Sequence, residues 1–237
     1  MKEFIYGKNV VKEAINANKN IFQLLLSANN KELIDLAKAK HFNYKILDNK
    51  ELNKLVDGLH QGAIAEVESY QYYSLQNIID GARKNNPLVI ILDGLEDPHN
   101  LGAIIRTSEA AGVDGIIIPK RRSVGVNNTV AKVSTGALEY VKVSEVTNLN
   151  NAIAELKKNG YWIVGAEIGD KSQDFREVKY DMPVALVVGS EGKGISRLVL
   201  ENCDYIVRIP MFGHVNSLNA SVSCAILIYE IIKYRKD

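Results

Sequence analysis

Ile209-Pro210-Met211 is followed by Ser217-Leu218-Asn219-Ala220-Ser221, where a long apolar helical pattern begins. Two other segments are organised in the same way, Asp97-Pro98-His99-Asn100-Leu101-Gly102 and Gly189-Ser190-Glu191-Gly192-Lys193-Gly194. Each follows a short run of Val, Ile and Leu and precedes a helical pattern. Because ligands of open α/β sheets bind outside the carboxyl ends of the strands, these loops predict one shared site. We expect this site to be a small-molecule pocket that lies beside a second substrate. Such an arrangement indicates an enzyme.

Composition limits the class of protein. With 237 residues and a net charge of +1, the chain has room for a substantial core, and any nucleic-acid surface must be local. Cys203 and Cys224 lie in apolar surroundings without CxxC spacing, which predicts buried thiols in a reducing cytoplasm. Met1-Lys2-Glu3 precedes no apolar core, so we expect no signal peptide. The apolar run Ala225–Ile232 is too short to cross a membrane.

The pattern along the chain predicts two domains. Residues 1–70 are expected to form a small α/β domain, 71–86 a linker or interdomain helix, and 87–237 a larger domain. In the larger domain continuous apolar strands alternate with amphipathic helices, which is typical of a mostly parallel sheet covered on both faces. Its strands are predicted near Val89–Leu92, Gly115–Ile118, Val141–Val143, Trp162–Ala166, Ala185–Val188 and Ile206–Ile209.

The smaller domain has its own predicted elements. Helices are expected at Asn9–Ala17, Lys31–Ala39 and Glu51–Val56, with strands at Ile21–Ser27, Tyr44–Asp48 and Ala63–Val67.

The first loop has one candidate for anion binding. Asn100 could cap the helix that follows, and Gly102 and Arg106 are four residues apart, on one face of that helix. The glycine would leave room for another group to approach the arginine. Since the surrounding residues are small and apolar, we interpret Arg106 as the partner of a specific anion.

The other two loops differ from common nucleotide-binding motifs. The spacing of Gly189, Gly192 and Gly194 is GxxGxG, which is neither the dinucleotide-binding GxGxxG nor a P-loop. It offers backbone groups that no side chain blocks, together with the carboxylate of Glu191. The helix after the third loop is apolar nearly all round, which fits either a core helix or a dimer interface.

Together, these motifs resemble the SpoU (TrmH) family of RNA ribose 2′-O-methyltransferases, of the SPOUT class. The resemblance covers roughly residues 87–237 and includes the segment Ser134-Thr135-Gly136-Ala137. In the first domain, Tyr6-Gly7-Lys8-Asn9-Val10-Val11 and His60-Gln61-Gly62-Ala63 are similar to the ribosomal-protein-like RNA-binding domain of family members that modify 23S rRNA. Within the family the resemblance is closest to guanosine 2′-O-methyltransferases of the RlmB type.

The resemblance implies a fold and a cofactor. We expect a deep trefoil knot near the end of the larger domain and a homodimer with its sites close to the partner chain, which favours an interface for the last helix. S-adenosylmethionine is expected to bind in the knot. The implied cofactor-binding residues are Gly189, Ile209, Met211, Leu218, Thr135, Gly136 and Gly192.

The resemblance also implies the catalytic residues and excludes a need for metal. A sulfonium methyl group is already an activated electrophile, so the task is to align it with a ribose 2′-hydroxyl and stabilise the attacking oxygen. Arg106 is often described as a base in the family, but a guanidinium is effectively always protonated, and we favour a phosphate clamp and oxygen stabiliser. The side chains expected to orient Arg106 and the ribose are Asn100, Glu191, Ser217 and Asn219.

RNA is the expected partner, with 23S rRNA favoured over tRNA. Lys120-Arg121-Arg122 is the one compact basic cluster and follows a predicted strand, so it is the candidate RNA contact. Two other interpretations remain. The first is a conventional doubly wound nucleotide-dependent enzyme, and the glycine spacing argues against it. The second is a non-catalytic RNA-binding protein, which would have no need for the polar residues of the motifs.

Overall fold

A computed structural model describes residues 2–16, 19–169 and 171–235. The chain divides into two compact units, Met1–Gln71 and Tyr72–Asp237. The predicted end of the first helix, Ala17, lies outside the described residues.

The first unit is a four-stranded sheet with three helices. Its strands lie in the order β1-β4-β2-β3, in which β4 is antiparallel to both of its neighbours and β3 is parallel to β2. The strands are β1 (Lys2–Tyr6), β2 (Ile21–Leu26), β3 (Tyr44–Ile46) and β4 (Ala63–Glu68). The helices are α1 (Lys8–Asn16), α2 (Lys31–Ala39) and α3 (Asn49–Leu52).

The core of this unit follows from helical spacing. In α1 the buried residues Val11, Ala14 and Ile15 are three and four positions apart, so they form one apolar stripe. They pack in one cluster with Leu33 of α2 and with Leu24 of β2. Helices α1 and α2 therefore cover one face of the sheet, whereas Leu52 of α3 packs with Leu25 and Ile64 on the other face.

Two elements of the first unit differ from the prediction. Strand β1 was not expected, and it pairs along its whole length with β4. The helix predicted at 51–56 begins earlier, at Asn49, because Asp48 caps it. The Asp48 carboxylate accepts from Glu51 N at 2.8 Å, and Glu51 accepts from Asp48 N at 3.0 Å, which forms a capping box.

The second unit is built on a seven-stranded sheet of order β7-β6-β5-β10-β8-β11-β9, parallel throughout its paired strands. The strands are β5 (Leu88–Asp93), β6 (Gly115–Pro119), β7 (Val143–Val146), β8 (Trp162–Ala166), β9 (Gln173–Asp174), β10 (Val184–Gly189) and β11 (Tyr205–Arg208). The helices are α4 (Leu75–Asp80), α5 (Pro98–Ala110), α6 (Asn128–Val133), α7 (Leu149–Lys158), α8 (Arg197–Leu200) and α9 (Ala220–Ile232).

The predicted mostly parallel α/β sheet is confirmed. Strands β5 and β10 form its centre, and their apolar residues from Leu88 to Leu92 and from Val184 to Val188 are buried. The strand predicted at 141–143 is instead β7, and the two-residue β9 was not expected.

The stretch predicted as a linker, 71–86, lies almost entirely in the second unit. Ser74 caps α4 through a capping box with Asn77, and Ile78 of α4 is fully buried. Ile78 packs against Gly115 of β6 so closely that a Cβ at this glycine would lie 2.6 Å from the isoleucine side chain. Of the two predicted alternatives, a linker or a helix, this stretch contains the helix α4, which packs on the sheet of the second unit.

The register of the parallel strands places the candidate loops at one edge of the sheet, beyond the carboxyl ends of the strands. Gly189 at the end of β10 pairs with Asp93 at the end of β5, and Val188 pairs with Ala166 at the end of β8. Ala166 in turn pairs with Val207 of β11. The loops that follow these four strands are consequently neighbours.

Candidate active site

A cavity of about 660 Å³ lies where β8, β10 and β11 end and α9 begins. Its walls combine apolar side chains with backbone of the glycine-rich loop and three charged residues. The lining residues are Ala166, Glu167, Ile168, Val188, Gly189, Ser190, Glu191, Gly192, Gly194, Val207, Arg208, Ile209, Met211, Ser217, Leu218, Asn219, Ala220, Ser223 and Leu227.

Most of the residues predicted to bind the cofactor line this cavity. They are Gly189, Gly192, Ile209, Met211 and Leu218. Thr135 and Gly136 lie elsewhere, in the turn between α6 and a short 3-10 helix at Ala137–Glu139. Both have left-handed backbone, with φ angles of 49° and 90°.

The glycine-rich loop is a tight hairpin. Ser190 N donates to Gly194 O at 3.2 Å, and Gly194 N donates to Ser190 O at 2.9 Å. A Cβ at Gly189 would overlap the backbone of Gly194, whose φ of 65° itself favours glycine. The glycines at both ends of the loop are thus required by backbone packing. At Gly192 a Cβ would meet nothing within 4 Å, but its φ of 80° also favours glycine.

An amide–carboxylate network joins the three candidate loops. Glu191 Oε1 accepts from Asn100 Nδ2 at 2.9 Å, from Asn219 Nδ2 at 2.8 Å and from Ala220 N at 3.4 Å. Asn219 Nδ2 also donates to Asn100 Oδ1 at 2.9 Å. Asn100 is only 5% exposed, so its polar groups depend on these protein partners.

The expectation that Asn100 caps its helix is wrong. Asp97 is the cap, and its carboxylate accepts from His99 N at 2.8 Å while Pro98 occupies the first helical position. Asn100 lies in the first turn, where its side-chain amide is available to the network. A different asparagine, Asn219, does cap a helix. Its Oδ1 accepts from Ser221 N at the start of α9.

Arg106 is not part of the network. It is exposed on α5, and within the described ranges no hydrogen bond or ion pair joins its guanidinium to another side chain. Gly102 does not leave space for a ligand. A Cβ there would lie 2.6 Å from the Cβ of Val133, so the glycine permits close packing of α5 on α6.

Ser217 lines the cavity and is exposed.

The basic cluster lies on the loop after β6. Lys120, Arg121 and Arg122 are all exposed. The loop is fastened to the loop after β5, because Ser123 Oγ donates to Leu95 O at 3.0 Å and Val124 N donates to the same oxygen at 2.7 Å. These cations therefore lie at the sheet edge to which the candidate loops also belong.

Several cavity residues were not assigned to the site by the sequence interpretation. Ala166, Glu167 and Ile168 stand at the end of β8, a strand that was predicted without assigning its following loop to the site. The available signal was the same as for the other loops, a buried apolar strand followed by a polar residue. Arg208 also lines the cavity and was not assigned.

The two cysteines are free thiols. Burial raises the pKa of the Cys203 thiol and of the Cys224 thiol to about 12, so both thiols are protonated at neutral pH. Among the described residues, no group of three or more His, Cys, Asp or Glu side chains could hold a metal ion. The described helices include none with the length and hydrophobicity of a membrane span.

Comparison with known sequences identifies both units. Residues 87–229 match the SpoU rRNA Methylase family, and residues 4–73 match the RNA 2′-O ribose methyltransferase substrate-binding domain. YacO of Bacillus subtilis, assigned to the TrmH family of tRNA/rRNA methyltransferases, is 44% identical over 241 residues, covering 99% of this chain and 96% of YacO. A Staphylococcus saprophyticus protein with the same assignment is 47% identical, covering 98% and 95%.

Solved structures have the same fold. An AdoMet-bound rRNA methyltransferase from Sinorhizobium meliloti superposes with a TM-score of 0.67 at 22% identity, covering 100% of this chain and 88% of that one. A TrmH/SpoU tRNA modifying enzyme of A. aeolicus superposes with a TM-score of 0.59 at 32% identity, covering 68% and 80%. From the matched domains and the full-length relatives together, we conclude that this chain belongs to the SpoU (TrmH) family of RNA methyltransferases.

Proposed function

We propose that this protein transfers a methyl group from S-adenosylmethionine to the ribose 2′-hydroxyl of a guanosine in 23S rRNA, with tRNA as the alternative substrate. The observation that supports this most is the network of Asn100, Glu191 and Asn219 at the wall of the cavity. Three loops from distant parts of the chain are held together there, beside a space of the size that small ligands occupy.

The residues of the cavity fit S-adenosylmethionine. Ile209, Leu218 and Leu227 offer apolar surface for the adenine ring, and the open space at Gly192 lets a ligand approach the backbone. Two lining carboxylates suit the positive sulfonium group. When bound, the cofactor supplies a methyl group on a positively charged sulfur, which is an activated electrophile.

The protein's part in the reaction is alignment and charge stabilisation. Glu191 and the two asparagines fix the start of α9 and the glycine-rich loop, which positions Ser217 at the edge of the cavity. Held against Ile209, Leu218 and Leu227, the donor would supply its methyl group to the ribose oxygen, and the hydroxyl proton would leave to water. Arg106 is exposed and has no protein partner in the described part of the chain. In our proposal it binds the RNA phosphate next to the reacting ribose, where it stabilises the charge that develops on the attacking oxygen.

We further propose a homodimer that packs through α9. On this helix Val222 is 47% exposed and Tyr229 is 51% exposed, and Ile226 lies between them at helical spacing. An exposed apolar stripe of this kind is typical of an interface. Light scattering coupled to gel filtration gives the mass, and Tyr229→Glu should shift a dimer towards monomer.

RNA binding is proposed for the first unit together with Lys120, Arg121 and Arg122. The match of residues 4–73 to a substrate-binding domain supports the first part, and exposure of the basic loop at the sheet edge supports the second. Replacing all three cations by Ala should weaken RNA binding and reduce its dependence on salt concentration. Such a substrate and the reduced cysteines are consistent with a cytoplasmic protein.

The decisive experiment is transfer of labelled methyl from S-adenosylmethionine to unmodified 23S rRNA, with tRNA in parallel, followed by nucleoside analysis. We expect labelled 2′-O-methylguanosine from 23S rRNA. Label in tRNA alone would support the alternative substrate, and no label in either RNA with the cofactor bound would favour a non-catalytic RNA-binding protein. Arg106→Ala should abolish transfer and leave cofactor affinity nearly unchanged, whereas loss of both would contradict the role given to Arg106.

A further inference from the structure

Glu167 is a half-buried carboxylate at the end of β8, and it lines the cavity. Its Oε2 accepts a hydrogen bond from Ile195 N at 2.8 Å. Across residues 2–16, 19–169 and 171–235, no cationic side chain forms an ion pair with it. Glu167 is therefore a cavity-lining residue whose carboxylate has a single backbone donor to offset its charge.

The same carboxylate packs against the end of the glycine-rich loop. A Cβ at Gly194 would overlap Oε2 and lie 2.8 Å from Oε1, so the carboxylate lies directly over this glycine. Gly194 is one end of the hairpin and Ile195 is the next residue. Glu167 is thereby fixed at the wall of the cavity by the loop itself, rather than being a mobile surface side chain.

The charges around the cavity are unequally compensated. Glu191 Oε1 accepts three N–H groups, which offset its charge. The guanidinium of Arg208 donates to the carbonyl oxygen of Ser172. Two carboxylates and one guanidinium leave the lining with an excess of negative charge, and Glu167 is its least compensated member.

We propose that Glu167 makes the cavity discriminate between the methyl donor and the demethylated product by charge. This inference rests on the proposed function, because it takes S-adenosylmethionine and S-adenosylhomocysteine as the two ligands. The sulfur of the donor is positively charged and that of the product is neutral, while the rest of the two molecules is the same. Loss of the methyl group thus removes an attraction to the wall of the cavity, which favours release of the product.

Binding of both ligands to the purified protein tests this, with isothermal titration calorimetry as the readout and no RNA present. A tenfold ratio of dissociation constants corresponds to about 1.4 kcal/mol, which lies between the attraction of two unit charges at about 4 Å in bulk water, about 1 kcal/mol, and near a protein surface, about 4 kcal/mol. We expect the wild type to bind the donor about tenfold more tightly than the product. In Glu167→Gln, the donor should lose most of that advantage and the affinity for the product should change by less than about twofold.

The glutamine variant keeps an oxygen that can accept from Ile195 N, so the loop retains its anchor. Glu155→Gln is the matched control, since it removes one negative charge from α7 outside the cavity lining, and it should preserve the wild-type ratio. Equal weakening of both ligands in Glu167→Gln would show that Glu167 only holds the loop and would overturn the inference, as would unchanged affinities. A wild type that binds neither ligand would instead contradict the proposed function.

Discussion

Asn219 has two structural roles, one for each polar atom of its side chain, and two substitutions can test them separately. Its Oδ1 caps α9 by accepting from Ser221 N at 2.9 Å and Val222 N at 3.3 Å. Its Nδ2 donates to Asn100 at 2.9 Å and to Glu191 at 2.8 Å. Serine retains a capping oxygen but cannot make the two donations, and alanine can do neither.

The magnitudes follow from these contacts. Asn219→Ser leaves the buried Asn100 Oδ1 without its donor, which should lower the free energy of unfolding by about 1–3 kcal/mol. Asn219→Ala also removes the cap, which adds about 1 kcal/mol. We therefore expect a total loss of about 2–4 kcal/mol for the alanine variant, with serine in between.

Urea unfolding measured by tryptophan fluorescence suits this test, because the one tryptophan, Trp162, lies in β8 of the second unit. Equal losses for serine and alanine would show that the cap does not stabilise α9. Values within about 0.5 kcal/mol of wild type for both variants would refute the reasoning that the network stabilises the site. An Asn100→Ala background provides the control, since most of the serine effect should disappear there.

Three other outcomes are expected. Gly102→Ala should lower the free energy of unfolding by about 1–3 kcal/mol in urea denaturation, because the added methyl group would lie 2.6 Å from the Cβ of Val133. Hydrogen bonds from Lys12 and then Lys8 lower the pKa of Glu32 from 4.5 to about 2, so its contribution to stability, complete above pH 4.5, is lost as the pH falls towards 2. An NMR titration of Glu32 checks the midpoint, which Lys12→Ala should raise. Cys224, whose pKa burial raises to about 12, should react with a thiol reagent at pH 8 only after unfolding.

Much of the second unit could be predicted from sequence because its central strands are buried on both faces. Runs such as Leu88–Leu92 are apolar at every position. Between helical patterns, such a run has few interpretations other than a buried strand of a parallel sheet. Strand β1 could not be predicted in this way. In Lys2–Tyr6 only Ile5 is buried, and long-range pairing with β4 supplies what the local pattern lacks.

The site could be predicted as a gathering of loops, but its contacts could not. Asn100 is a good N-cap residue by type, yet Asp97 has this role because Pro98 restricts the residue before it to extended backbone. The bonds that Asn100 makes instead join residues 91 and 119 positions away in the chain. Only the tertiary fold brings such partners together, and the same holds for Glu167 and Ile195.

The strand order has a consequence for synthesis of the chain. Strand β10 lies between β5 and β8, although both of these precede it in the sequence. A ribosome adding about 5–20 residues per second would need roughly 5–20 s to make the approximately 100 residues from the end of β5 to the end of β10. Throughout that interval the apolar edge of β5 lacks its partner, and the edge of β8 also lacks it once Ala166 has been made, a condition that invites pairing with other chains. The nascent protein should therefore depend on chaperones until Gly189 has emerged.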